Sequence, residues 1–124
     1  MNKDIDYIMN NLYEILENRI DSNESENSFH KKFLEIDKNE FEDIRIKINE
    51  EYQIIELDIS YDSLKDSIDI MILDSENSNE DELKYDLISS IYINSYQYNF
   101  KKIKNIIIQI INDFLEIHYN NIKI

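Results

Sequence analysis

The sequence predicts an α+β domain: a small three-stranded antiparallel sheet, a meander, with helices packed on one face in the order α-β-β-β-α-α. Two changes of period carry that prediction. Apolar residues recur every three to four positions near the start of the chain, every second position between Asp43 and Ile72, and every three to four again from Phe100. Length and composition bound it: 124 residues with 42% hydrophobic content suffice for one core, so residues 1–124 read as a single domain, and this is not the composition of a disordered chain.

Ile5, Ile8, Met9, Leu12, Leu16 and Ile20 fall on one stripe and predict a helix from Asp4 to Ile20. Asp4 and Asp6 in its first turn and Arg19 in its last suit the helix dipole. Asp21 to Ser28 is wholly polar and reads as a loop. Phe29 to Phe41, with Phe33, Leu34 and Ile36 between, reads as a short helix or an irregular lead into the sheet.

Three strands come next. Ile44, Ile46 and Ile48 alternate with Arg45, Lys47 and Asn49; Ile55, Leu57, Ile59 and Tyr61 with Glu56, Asp58 and Ser60; Ile68, Ile70 and Ile72 with Asp69 and Met71. Alternation of this kind marks antiparallel strands with one wet face. Glu50 to Tyr52 and Asp62 to Asp66 are short enough for hairpins, and without glycine the turns must use Asn, Asp and Ser.

Asp74 to Asn79 reads as a polar turn. Asn79 followed three residues later by Glu82, with Glu80 and Asp81 between, has the form of a capping box. Leu83, Leu87, Ile88, Ile91 and Ser95 then fit a helical stripe, so a second helix is expected over 80–97. The rival is a fourth strand at 85–93, because Leu87 to Ile93 suits a strand. The last helix is marked by Phe100, Ile103, Ile106, Ile107, Ile110, Ile111, Phe114 and Ile117, its apolar arc widened by Ile108 and Leu115. Such breadth places the helix centrally in the fold or in a homodimer interface through 100–119.

Charge is distributed unevenly. Glu35 to Asp86 holds eighteen carboxylates against five basic residues, whereas Leu87 to Ile124 holds two against four, in a chain of net charge −14. A surface of one sign repels nucleic acid and acidic membranes and attracts basic partners at long range. Direct nucleic-acid or membrane binding is therefore not expected. Gly, Pro, Cys and Trp are absent, as are Ala, Val and Thr, which points to an AT-rich coding sequence. Met1 to Asp6 lacks the basic and apolar regions of a secretory signal, and Ile106 to Ile111 is too short to span a bilayer. The expectation is a soluble cytoplasmic protein of a low-GC bacterial or other AT-rich host.

No catalytic, cofactor or metal set is expected, and the chain reads as a non-enzyme. His30 and His118 lie in contexts without a nucleophile, and glycine-dependent nucleophile or phosphate loops cannot form. Lys101, Lys102 and Lys104 read as solubilising. Asp74, Glu76, Ser78, Glu80 and Glu82 imitate the spacing of a calcium loop, yet Asn79 stands where glycine is needed and Tyr85 where a bidentate Glu is needed.

What remains is binding. Cross-strand pairing can offset the charges of the first two strands, and Asp58, Asp62, Asp66, Asp69 and Asp74 are left in excess. Among the clustered tyrosines, Tyr96 and Tyr98 suit an interface. The expected partner-binding set is Glu56, Asp58, Asp62, Asp66, Asp69, Asp74, Tyr96 and Tyr98. The expected function is an acidic inhibitor of the anti-defence (anti-CRISPR-like) or toxin-immunity kind, docking by charge mimicry on a basic, nucleic-acid-binding surface of a nuclease or other effector. The alternative is an acidic dimeric secretion-type chaperone or adaptor that holds a partner chain.

Overall fold

In the computed structural model, residues 3–23, 34–39, 43–49, 54–118 and 124 are described. The first helix, α1 (Lys3–Asn23), buries the predicted stripe: Ile5, Ile8, Met9, Leu12, Leu16 and Ile20 all lie in the core. It runs beyond Ile20, so its last turn holds no basic residue, and Arg19 instead donates from Nη1 to the Ile124 carbonyl at 3.4 Å. The Asp21–Ser28 loop falls partly in α1, and from Glu24 onward it lies outside the described residues.

The class is α+β, and among the described residues the sheet has five strands, not three. They are β1 (Leu34–Lys38), β2 (Ile44–Asn49), β3 (Ile54–Asp62), β4 (Ser67–Leu73) and β5 (Tyr85–Tyr92), antiparallel and side by side in chain order. The meander is thus correct for β2 to β4 and is extended at both edges. At one edge, Leu34 and Ile36 alternate with Glu35 and Asp37 in a strand paired to β2, Leu34 opposite Ile48 and Lys38 opposite Ile44. That overturns the short helix or irregular lead over 34–38; residues 29–33, 40 and 41 of that stretch lie outside the described residues. The Glu50–Tyr52 connection lies outside the described residues.

At the other edge, the helix expected over 80–97 is a strand, the rival reading. The capping chemistry is present locally: the Asn79 Oδ1 accepts the N–H groups of Asp81 at 2.9 Å and Glu82 at 2.8 Å. It closes a hairpin loop instead of starting a helix. Asn79 N–H donates to the Glu82 carbonyl at 2.9 Å, Asp74 N–H to the Lys84 carbonyl at 2.8 Å, and Ser78 Oγ accepts Lys84 N–H at 2.8 Å. The returning chain pairs with β4, from Leu73 opposite Tyr85 to Ser67 opposite Tyr92. Ladder bonds to the otherwise unpaired outer edge of β4 and the run Leu87–Ile93 outweigh a helical period carried by few residues. A bulge falls between Ile70 and Met71, which pair with Ser89 and Leu87, and leaves Ile88 as the extra residue on β5.

A 3-10 turn (Ile93–Tyr96) leads out of β5 into α2 (Phe100–His118). Asn99 caps α2, its Oδ1 accepting the Lys102 N–H at 3.1 Å. Ile103, Ile107, Ile108, Ile111 and Leu115 of α2 are buried, and Phe100, Ile106, Ile110 and Phe114 pack partly buried against them. The broad apolar arc is therefore used largely within the chain; Ile117 stays exposed at 77%. Tyr7 and Phe100 meet edge to face at 5.9 Å, and at the far ends Arg19 and Asn112 both reach Ile124, so α1 and α2 run in the same direction. Both cover the sheet face that carries Ile44, Ile46, Ile48, Leu57, Ile59, Ile68, Ile70 and Ile91. Among the described residues, no helix covers the opposite face.

Candidate acidic interaction surface

Strand alternation sends Arg45, Lys47, Glu56, Asp58, Ser60, Asp62, Ser67, Asp69, Met71, Leu73 and Tyr85 to the open face. Of the predicted residues, this brings Glu56, Asp58, Asp62 and Asp69 together. Asp66 and Asp74 stand apart at opposite ends of β4, in the β3–β4 and β4–β5 turns.

Much of the surplus charge is engaged locally. Asp62 Oδ1 accepts the N–H groups of Leu64 and Lys65, and its Oδ2 lies 3.8 Å from Lys65 Nζ. The same ammonium group is 3.1 Å from Asp69 Oδ2, while Asp69 Oδ1 accepts from the Ser67 and Ser90 hydroxyls, each at 2.8 Å. Burial pushes Asp69 upward, but the bonds from Ser90, Ser67 and Lys65 together outweigh it and hold the carboxyl below its ordinary value. Asp74 accepts from the Asn77 side chain at 2.7 Å and backbone N–H at 3.2 Å, which lowers its pKa and fixes the turn.

Asp66 and the tyrosines form a separate latch. With φ 52°, Asp66 is in the left-handed region, and its carboxylate accepts from the Tyr61 and Tyr98 hydroxyls, the latter at 2.6 Å. These two bonds lower the pKa of Asp66, and its hydrogen bond pushes Tyr61 up to about 12. The Asp66 carbonyl also accepts the Ile93 N–H at 3.1 Å. Tyr96 and Tyr98 pack partly buried against the core. The latch ties the β3–β4 hairpin to the β5–α2 connection.

Arg45 lies directly opposite both Asp37 and Asp58. It forks onto Asp37, Nε at 2.9 Å and Nη2 at 3.2 Å. The expected neutralisation of the β3 acids by Arg45 is thus diverted to β1, a strand absent from the sequence prediction. Asp58 is only 7% exposed, and its Oδ1 is buried without a hydrogen-bond partner. Burial first, then the neighbouring Glu56 carboxylate, push its pKa up to about 7; the hydrogen bond from Tyr85 opposes them. The Tyr85 hydroxyl has one proton to share between the two carboxylates and lies 3.3 Å from Glu56 Oε2.

The β4–β5 hairpin adjoins this cluster, since Tyr85 follows it directly. Glu76, Glu80, Asp81 and Glu82 all stand exposed on it. Beside them Leu83 and Leu87 are exposed at 58% and 56%. Glu80, Asp81 and Glu82 are absent from the predicted set because the cap pattern placed them in a helix, and Glu76 because it read as part of a polar turn; the density of acids in the sequence was the available signal. Among the described residues no group of acids and histidines could hold a metal ion, and no helix is long and apolar enough to cross a membrane.

Compared with known proteins, the chain matches no family model, no curated protein and no solved structure. Geometry and charge carry the functional reading.

Proposed function

We propose that this chain is a non-enzymatic inhibitor that docks on the basic, nucleic-acid-binding surface of a nuclease or related effector, in the manner of anti-defence and toxin-immunity proteins. The observation that carries the reading is the exposed quartet Glu76, Glu80, Asp81 and Glu82 on a hairpin braced by Asp74, Ser78 and Asn79, next to the open face with Glu56 and Asp58. Side chain to backbone bonds hold the loop in one shape, so its charges are presented at fixed spacing. Fixed charges steer a cationic surface into register with less ordering cost than a mobile acidic tail. Leu83 and Leu87 supply apolar area within the acidic surround, the composition of a binding patch.

The test is inhibition of cleavage or nucleic-acid binding across a panel of basic nucleases and effector complexes, with the variant E76K/E80K/D81K/E82K beside the parent. The parent is expected to inhibit a panel member with an association rate that falls steeply with added salt. The variant is expected to associate about tenfold more slowly, or worse. Equal rates for the two proteins, or a rate indifferent to salt, overturns the reading.

A further inference from the structure

We propose that Glu56, Asp58 and Tyr85 on the open face form a receptor for one arginine guanidinium group, supplied by the basic partner; the source of that arginine rests on the inhibitor reading above.

The cluster is more than an accumulation of acids. The Asp58 Oδ1 is buried and accepts no hydrogen bond, although a buried carboxylate oxygen ordinarily has a donor. Leaving it unpaired costs the fold the desolvation of that oxygen with no bond in return. The cation best placed to serve it, Arg45, is directly opposite on β2 and gives Nε and Nη2 to Asp37. The site therefore has a buried acceptor that no donor among the described residues serves. A second carboxylate, Glu56, stands two residues away on the same strand face, and the Tyr85 hydroxyl bonds to it from β5.

A planar group with five N–H donors matches such a set better than an ammonium point charge, because it addresses two carboxylates and a phenol oxygen at once. Access does not require opening the core. Asp58 lies on the sheet face away from the core, and rotamer changes of surface side chains take only about picoseconds to nanoseconds.

Proton and guanidinium then compete for one place. The charged and titratable groups facing Asp58 are Arg45 and Lys47 on β2, Glu56 on β3, Asp69 on β4, which is already held by Lys65, Ser67 and Ser90, and Tyr85 on β5; Met71 and Leu73 of β4 do not titrate. Burial and Glu56 keep the Asp58 carboxyl protonated up to about pH 7. Guanidinium binds the ionised form, so affinity rises as pH passes through that value.

The experiment uses the free protein and L-argininamide as probe, followed by the carboxyl carbon resonance of Asp58, with sodium chloride at matched ionic strength as control. The expected result is saturable binding, with a dissociation constant on the order of millimolar, that lowers the pKa of Asp58 and weakens by up to about tenfold per pH unit below it. Asp58→Asn should abolish both the binding and its pH dependence. Asp37→Asn provides an independent variant: it frees Arg45 to turn to Asp58, and should lower the Asp58 pKa and exclude argininamide. An Asp58 resonance that titrates identically with argininamide and with sodium chloride overturns the proposal, as does unchanged binding in Asp37→Asn. Failure here with intact, salt-sensitive partner binding removes the receptor alone. A positive titration in a protein that inhibits no basic effector removes only the inhibitor reading.

Discussion

At the scale of single residues, the chain's acids differ sharply in what surrounds them. Asp69 has two hydroxyls and an ammonium group; Asp66 has two phenols; Asp58 has a buried oxygen with no partner and Glu56 beside it. The sign of the pH dependence follows. The folded-state pKa of Asp58 is raised, so the proton favours the folded chain. Its contribution is full below the ordinary carboxylate value of 3.8 and is lost as pH rises to about 7. The urea midpoint of the parent should therefore be higher at pH 5 than at pH 8, and Asp58→Asn should narrow that gap. An unchanged gap would show that Asp58 is solvated in the folded chain. Sequence reasoning identified Asp58 and Glu56 as members of one wet row, since strand alternation alone fixes that. It could not anticipate the isolation of Asp58, which depends on β1 bringing Asp37 within reach of Arg45.

At the scale of elements, the lack of glycine has a structural cost. Asp66, Gln97 and Tyr98 take left-handed backbone with φ between 52° and 55°. Side chains at such positions clash with the following carbonyl, a penalty of about 1–2 kcal/mol. Asp66 and Tyr98 offset theirs through a mutual hydrogen bond. Gln97 is exposed in the same conformation at the end of the 3-10 turn. Gln97→Gly should therefore stabilise the chain by about 1 kcal/mol, read as a higher urea midpoint with unchanged slope; a loss of stability would mean that the Gln97 side chain supports the turn. Element boundaries were legible where the period was long: α1, α2 and β2 to β4 each repeat an apolar position at least three times. Leu34 and Ile36 give β1 too short a pattern to separate from its surroundings. For β5 a genuine Asn79 turn and an apparent helical stripe agreed with each other, and only the pairing demand of β4 decided against them.

At the scale of the whole molecule, the two sheet faces divide the labour. One is sealed by α1 and α2 over a core in which isoleucine predominates; the other, among the described residues, carries the polar ladder and adjoins the acidic hairpin. The excess of carboxylates in the middle of the chain was visible from composition, and its concentration on the β4–β5 hairpin was not, because that depends on how the chain reverses. The order of the sheet has a kinetic consequence. Every strand pairs with its immediate neighbour in the chain, so each ladder closes after a brief excursion instead of waiting for distant segments to meet. With neither proline nor cysteine present, no slow isomer or wrongly joined thiol can delay the search. Refolding from urea in a stopped-flow instrument should complete in one exponential, with no lagging phase on the scale of tens of seconds.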